Sequence, residues 1–466
     1  MTGKSVIFLE PAGSRANVFD YAMKLPLLGS LYLGTILHNA GHKVSIINEN
    51  ILGRRVSPFE LKADCLCISS LTVNANRARE MALKVREVYP GTRIIAGGIH
   101  PSLVPEDFAE FADHIVTGEA EGVILGLIEG RIREKTVHGS KVADLDELPL
   151  INYSLIRGYR RMNIIPVMSS RGCPFDCSFC AVTRVFGRKF RAQSVERTIA
   201  ELKNALKYFD TNRVFFYDDN FTASKRRTRE LTAAIIREKL KIYWTAQTRV
   251  DIADDEEMLA GMYEAGCGGV YIGFESISDA SLSALSKSQT VSDIERAIEV
   301  IHKYRMTIHG MFMLGEDNDT PESIASTLDF TVNHEIDTVQ FMVMTPLPGT
   351  RLYEKMDSEN RLLHKNWDYY DGMHVVFRPL SMSPAELQEA SVNCYRKFYS
   401  AERVLLDSLH AGFYILRDAL LWDFRNVFRY NSYTHIVRMA AQLVISRHTR
   451  QSGDYYSYLS GLLPEE

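Results

Sequence analysis

Residues 163–180 read NIIPVMSSRGCPFDCSFC, an apolar strand-like run that opens at once into a loop holding Cys173, Cys177 and Cys180. Three thiols so close together at a strand end suit a soft metal site, either zinc or an iron–sulfur cluster. Structural zinc takes four protein ligands, and no nearby His or Cys supplies a fourth at ordinary zinc spacing. Three ligands on a four-iron cube leave one iron open to bind and reduce a small molecule. Arg171, Pro174 and Asp176 stand among the thiols, which is not the composition of a packed core.

Downstream of this loop, RVFFYDD, IYWTAQTR, GVYIGFES, TIHGMFMLG and TVQFMVMTP follow NIIPVMSS, separated by helical patterns such as VERTIAELKNALKYF and VSDIERAIEVIHKY. Six strands, each but the last followed by a helix, predict a partial (β/α)6 barrel over residues 163–350. Its chemistry belongs at the C-terminal ends of the strands. Upstream, residues 1–145 alternate SVIFLEP, LGSLYLGTILHNAG, HKVSIINEN, ADCLCISSL, ANRAREMALKVREVYPG, TRIIAGG and HIVTGEAE. That βαβα order predicts a Rossmann-like parallel sheet with a ligand crevice at the strand ends EPAG, SSLT, GGIHP and GEAE. Gly97, Gly98 and Gly118 let a bulky ligand approach the main chain there, or simply make tight turns. Residues 146–162, with Pro149, break the rhythm and predict a linker, and residues 351–466 predict a mainly helical, aromatic cap. The fold class is α/β.

The chain has 466 residues, 46% hydrophobic and 24% charged, with a formal net charge of -4, which excludes collagen-like, disordered and strongly basic nucleic-acid-binding classes. Such a length builds large cores without cross-links. The 7 cysteines do not form a secreted disulfide pattern, and MTGKSVIFLEPAG enters a strand instead of a cleavable signal, so the expected location is a reducing cytoplasm. No run approaches the ~18 apolar residues of a membrane span. Cys65, Cys67, Cys267 and Cys394 lie in apolar or helical contexts and read as inert.

The cysteine loop resembles the signature of the radical S-adenosylmethionine (SAM) superfamily, C-x3-C-x2-C with an aromatic, here Phe179, before the last cysteine. The resemblance runs from about Ile164 to Thr350. It implies that Cys173, Cys177 and Cys180 hold a 4Fe-4S cluster whose open iron chelates SAM and reductively cleaves it to a 5'-deoxyadenosyl radical. It implies that the backbone at Phe179 lies against the adenine, and that Asp218, Asp219 and Asn220 of YDDNF are candidates for the SAM ammonium. A carboxylate facing an ammonium is a charge-assisted pair. Helix capping before SKRRTREL is the alternative reading of Asn220. Arg249, ending TAQTR, and Glu275, in GFES, are implied SAM contacts, Arg249 on the carboxylate; an Arg249–Glu275 structural pair is the alternative.

A second resemblance lies in LPLLGSLYLGTILHNAGHKV, GGIHPSLVPED and IVTGEAE, which are similar to the cobalamin-binding domain fused ahead of one large radical SAM class. It implies cofactor contacts at Gly97, Gly98, His100, Gly118 and Glu119. The cobalt-ligating Asp-x-His-x-x-Gly loop is absent, so the implied cobalamin is not held from below by histidine. A domain that keeps the fold without the corrin is the alternative.

Together the two resemblances imply a cobalamin-dependent enzyme that methylates an unactivated carbon, one SAM supplying the methyl group and a second the radical. The same radical start ending in cyclisation, hydroxylation or rearrangement is one alternative, and a non-catalytic metal- or cobalamin-binding sensor is another. The implied substrate is a hydrophobic small molecule, a tetrapyrrole such as a bacteriochlorophyll precursor or a terpenoid lipid. The implied partner is an external one-electron reductant such as flavodoxin or ferredoxin, and no nucleic acid is expected. The stretch AGFYILRDALLWDFRNVFRYNSYTHIVRMAAQLVIS reads as an amphipathic packing helix, with a site for a large apolar molecule or peripheral membrane contact as alternatives.

Overall fold

Strands β1 (Ser5–Glu10), β2 (Lys43–Asn48), β3 (Cys65–Ser69), β4 (Arg93–Gly97), β5 (His114–Gly118) and β6 (Thr136–Gly139) pair in parallel in the order β2-β1-β3-β4-β5-β6. The computed structural model describes residues 3–13 and 24–405, with 416, 420, 442, 455–459 and 461 beyond them. Every residue of β1 after Ser5 is buried, as are the first four of β3, the near-continuous apolar pattern of strands covered on both faces. The strand order reverses between β1 and β3, and in open parallel sheets a ligand crevice lies beyond the strand ends at such a switch. Within this sheet, sequence reading missed only β6, whose four residues include a single buried one and carry too weak a pattern.

The second sheet begins with β7 (Ile165–Val167). A two-stranded antiparallel ribbon follows, β8 (Ser170–Arg171) with β9 (Arg191–Ala192), and it ties the two ends of the cysteine loop together. Then come β10 (Arg213–Phe216), β11 (Tyr243–Thr248), β12 (Cys267–Glu275), β13 (Thr307–Leu314) and β14 (Thr338–Val343). All pair in parallel in the order β14-β13-β12-β11-β10-β7, and β14 does not reach β7, so the barrel stays open. Five helices, Val195–Ala205, Lys225–Arg237, Glu256–Glu264, Val291–Lys303 and Pro321–Asn333, fill the crossovers. Each starts on a side-chain cap, from Ser194, Ser224, Asp255, Thr290 and Thr320 in turn, which satisfies an otherwise unpaired amide of the first turn.

The two sheets share one core: Phe8 and Ile46 of the first belong to the same buried cluster as Ile165, Phe216 and Trp244 of the second. The stretch between them works as a packed strap. Leu145, Ile151, Tyr153 and Ile156 are buried, the Tyr153 hydroxyl donates to the Pro166 carbonyl at 2.8 Å, and the Arg157 amide donates to the Ile46 carbonyl at 2.9 Å. After β14, the helix Pro384–Phe398 covers the open edge, where the Tyr399 hydroxyl donates to the Val339 carbonyl at 2.8 Å and accepts from its amide at 2.9 Å. Between them residues 359–383 are mostly irregular, and Trp367 crosses to the first domain, its indole donating to Asp107 at 2.6 Å. The aromatic stretch 411–446 lies almost wholly outside the described residues. No helix among the described residues is long and apolar enough to cross a membrane.

Candidate functional site

The cysteine loop leaves the ribbon at Gly172, whose φ of +83° and near contact with the Lys189 and Gly187 carbonyls leave no room for a side chain. Cys173, Cys177 and Cys180 are half-buried, and their thiols sense one another electrostatically. Burial pushes the Cys173 thiol up and the Cys180 thiol up to about 12. Arg249, from the end of β11, reaches in: its Nη1 lies 3.8 Å from Cys177 Sγ and its guanidinium carbon 3.8 Å from the centroid of Phe175. Its Nη2 donates to the Lys287 carbonyl. Ser178 donates its amide to the Leu285 carbonyl at 3.1 Å, so the loop after β12 braces the cysteine loop. Phe179 is half-buried against the shared core.

The two aspartates after β10 do different things. Asp218 is fully buried, and its carboxylate accepts from the Ser169 amide at 2.6 Å and hydroxyl at 2.5 Å, and from the Ser170 amide at 3.1 Å and hydroxyl at 2.8 Å. Burial raises its pKa, opposed by those bonds and by the Arg227 charge, so Asp218 holds the turn before the cysteines rather than facing a ligand. Asp219 lines the cleft described below, and its Oδ2 accepts from the Gly172 amide at 3.3 Å. Burial, and then the neighbouring Asp218, raise it to about 6. Asn220 is buried with its side-chain nitrogen unpartnered.

Glu275 ends β12 at φ +64°, a left-handed conformation rarely adopted by a non-glycine residue. Its Oε1 accepts from Lys287 Nζ at 2.7 Å while Oε2, also buried, has no partner. Gly273 leaves the space this pair occupies. The structural pair of Glu275 is therefore Lys287 and not Arg249, and Lys287 is a site residue that strand-end reasoning could not reach because it lies on a loop.

At the first sheet a cleft of about 260 Å³ opens along the ends of β3, β4 and β5. Its walls are Leu28, Ser30, Leu33, Ser69, Leu71 and Gly97 on one side and Met168, Arg171, Val185, Phe186, Tyr217 and Asp219 of the barrel on the other. Gly98, at φ +106°, packs so tightly on Ser70 that a Cβ would fall 2.7 Å from its carbonyl. Gly118 lines the cleft, yet its missing Cβ mainly admits Gly139 of β6, and the Glu119 carbonyl would in turn collide with a Cβ on Gly139. His100 is fully buried and does not line the cleft: its ring meets Thr72 at 3.2 Å and Asp107 at 3.1 Å and packs edge-on against Trp367. Burial, opposed by Asp107, lowers its pKa. Glu119 borders the cleft and clamps the domains, accepting from Arg171 at 3.0 Å and from Arg191. Burial alone would raise it, and the two arginines bring it net below the usual range. Ser30, Arg171 and Tyr217 are cleft residues that the sequence did not single out.

The radical SAM superfamily matches residues 167–331 and the B12 binding domain residues 14–128. An uncharacterized methyltransferase of Pyrococcus horikoshii is 30% identical over 427 residues, which cover 84% of this chain and 92% of that protein. The chain belongs to this family of B12-binding radical SAM enzymes. A second relative, the bacteriochlorophyllide d C-12(1)-methyltransferase of Chlorobaculum tepidum, is 27% identical over 86% of this chain and 89% of its own. Among solved structures, the cobalamin-dependent SAM radical enzyme OxsB, with aqua-cobalamin and SAM bound, superposes with a TM-score of 0.67 at 15% identity, covering all of this chain and 82% of its own, a likeness of fold.

Membership brings a 4Fe-4S cluster, SAM and cobalamin as cofactors of this radical SAM enzyme, and its residues fit them. Among the described residues no three His, Cys, Asp or Glu side chains converge on a single ion, whereas three half-buried thiols on one loop suit a cluster with an open corner. The unpartnered Glu275 Oε2 and Asn220 nitrogen are buried polar atoms at strand ends that call for a polar ligand such as SAM. In the cleft, apolar walls and glycine at positions 97 and 98 suit a broad ring lying against the main chain. No histidine lines the cleft among the described residues.

Proposed function

We propose that this radical SAM enzyme methylates an unactivated carbon of a large apolar molecule, with tetrapyrroles of the bacteriochlorophyllide kind as the first class and terpenoid lipids as the second. The observation that carries the reading is that the cleft and the cysteine loop share a wall, Arg171 and Asp219, one residue and a hydrogen bond away from Gly172. When bound, the cofactors supply a carbon radical that removes hydrogen and a methyl group to replace it. Cys173, Cys177 and Cys180 serve as cluster ligands and the Phe179 backbone meets the adenine. Asp219 and the Glu275 Oε2 are the SAM-facing carboxylates, and Arg249 balances thiolate and SAM carboxylate charge.

Asp218 and His100 act one layer back, as positioning groups. Asp218 orients the turn into Cys173, and His100 stiffens the strand end that carries Gly97 and Gly98. Glu119 and Arg171 keep the cleft registered against the barrel, so that reacting atoms are held in line. An external low-potential one-electron carrier supplies the reductant, the location is cytoplasmic, and no nucleic acid is involved. The test is turnover of reconstituted enzyme with deuterated-methyl SAM and a bacteriochlorophyllide or hopanoid acceptor. A product three mass units heavier than that from ordinary SAM is expected, and a substrate-derived product without the label would reject methyl transfer.

A further inference from the structure

The cysteine loop itself carries more cations than carboxylates on a chain whose net charge is -4. Residues 172–190 contain one carboxylate, Asp176, against Arg184, Arg188 and Lys189, all three of which are exposed. Two further cations come from elsewhere in the chain. Lys141 lays its ammonium over Gly187, where a Cβ would collide with it, and Arg351 binds Asp176 at 2.6 Å. Arg188 stands 3.9 Å from the same Asp176 oxygen and approaches the Pro174 carbonyl at 3.5 Å. Asp176 thus spends its charge inside the loop, held below the usual carboxylate range by Arg351 first and Arg188 and Arg184 after it. Lys141, Arg184 and Lys189 are left facing solvent.

The other sides of the loop are taken. Val182, Val185 and Phe186 line the cleft, and Ser178 and Arg249 tie the loop to the barrel mouth. Electron transfer falls steeply with distance, so a carrier that reduces a group held by these cysteines must dock against the exposed face at Pro174, Arg184 and Lys189. We propose that this basic face is the docking surface for an acidic one-electron carrier protein of the flavodoxin type. The proposal rests on the reading of the cysteine loop as the cluster site. Rim charges of this kind govern encounter rate and salt dependence more than packing, and steering can change association by about 10- to 1000-fold.

The test compares holoenzyme with the Arg184→Glu/Lys189→Glu variant and, separately, Lys141→Glu. Binding of a flavodoxin is measured by calorimetry at low and high salt, and cluster reduction by electron paramagnetic resonance with flavodoxin or with dithionite. The expected result is about tenfold or greater loss of flavodoxin affinity at low salt, a flattened salt dependence, and unchanged reduction by dithionite. Flavodoxin binding equal to that of the wild type would overturn the proposal, as would loss of binding to anionic vesicles or nucleic acid with flavodoxin affinity intact. Failure of the wild type to cleave SAM with dithionite would count against the functional reading instead, and calorimetry would still decide the docking surface.

Discussion

Asp218→Ala distinguishes a ligand-facing carboxylate from one that shapes the backbone. The side chain accepts four hydrogen bonds from Ser169 and Ser170 within 3.1 Å, and Arg227 adds an opposing charge while binding the Ser169 hydroxyl at 3.2 Å and carbonyl at 3.2 Å. Truncation leaves two buried amides without acceptors, at about 1–3 kcal/mol each, and strips the counter-charge from a buried guanidinium, a change that alone costs about 3–5 kcal/mol. These losses overlap, so the expected destabilisation is about 4 kcal/mol, concentrated at the turn between β7 and β8. Asp218→Asn keeps an oxygen for the two amides and loses the charge, for about 1.5–3 kcal/mol. Hydrogen exchange of the peptide spanning residues 165–172 reads the local loss, and iron content after reconstitution reads its effect on the cysteine loop. Both should fall in the order wild type, Asn, Ala, with SAM affinity following cluster content. An Ala variant with wild-type exchange and full iron but tenfold weaker SAM binding would refute this reasoning and make Asp218 a direct SAM contact.

Gly98→Ala should abolish stable cobalamin binding while leaving iron loading intact, because a Cβ would sit 2.7 Å from the Ser70 carbonyl at a φ of +106° that alanine resists; bound corrin is read from its visible absorbance. Asp219 carries a stability effect whose sign follows from its raised pKa of about 6. Its ionised form is disfavoured in the fold, so above pH 6 it destabilises the cofactor-free protein by about 3 kcal/mol, a cost that disappears as pH falls below 4. Asp219→Asn should therefore stabilise that form at pH 7.5 and match wild type near pH 4, as followed by urea melts. Glu275→Gln should weaken SAM binding about tenfold, since it loses the Lys287 charge pair and alters the one unpartnered oxygen, and calorimetry on reconstituted protein checks it.

The element order was legible because β1 and β3 of the first sheet, buried on both faces, read as nearly unbroken apolar runs, and because β10 through β14 each reach a polar residue at their last position or within two residues of it, where a barrel opens. β6 and the β8–β9 ribbon were not legible, having at most four residues and no periodicity to read. At the site, the cysteine spacing alone located the loop, since three thiols so close together have few other uses. The roles of single residues were harder, because a strand end has an inside and an outside only once neighbouring chains are packed. Asp218 and Asp219 are adjacent in sequence, and only the packing of Ser169 and Ser170 beneath the first makes it structural and leaves the second facing the cleft. His100 sits two residues after Gly98, yet Thr72, Asp107 and Trp367, from three separate segments, turn its ring away. Lys287 could not be found from sequence for the same reason: its partner lies twelve residues earlier, across a loop whose Ser286 and Ser288 take left-handed φ values of +55° and +53°. Backbone strain of that kind is retained where surrounding contacts enforce it, and here those contacts are the Glu275 carboxylate, the Arg249 guanidinium and the Ser178 amide. The strained loop therefore couples the Glu275 carboxylate to the cysteine loop, and relaxing it should disturb both together.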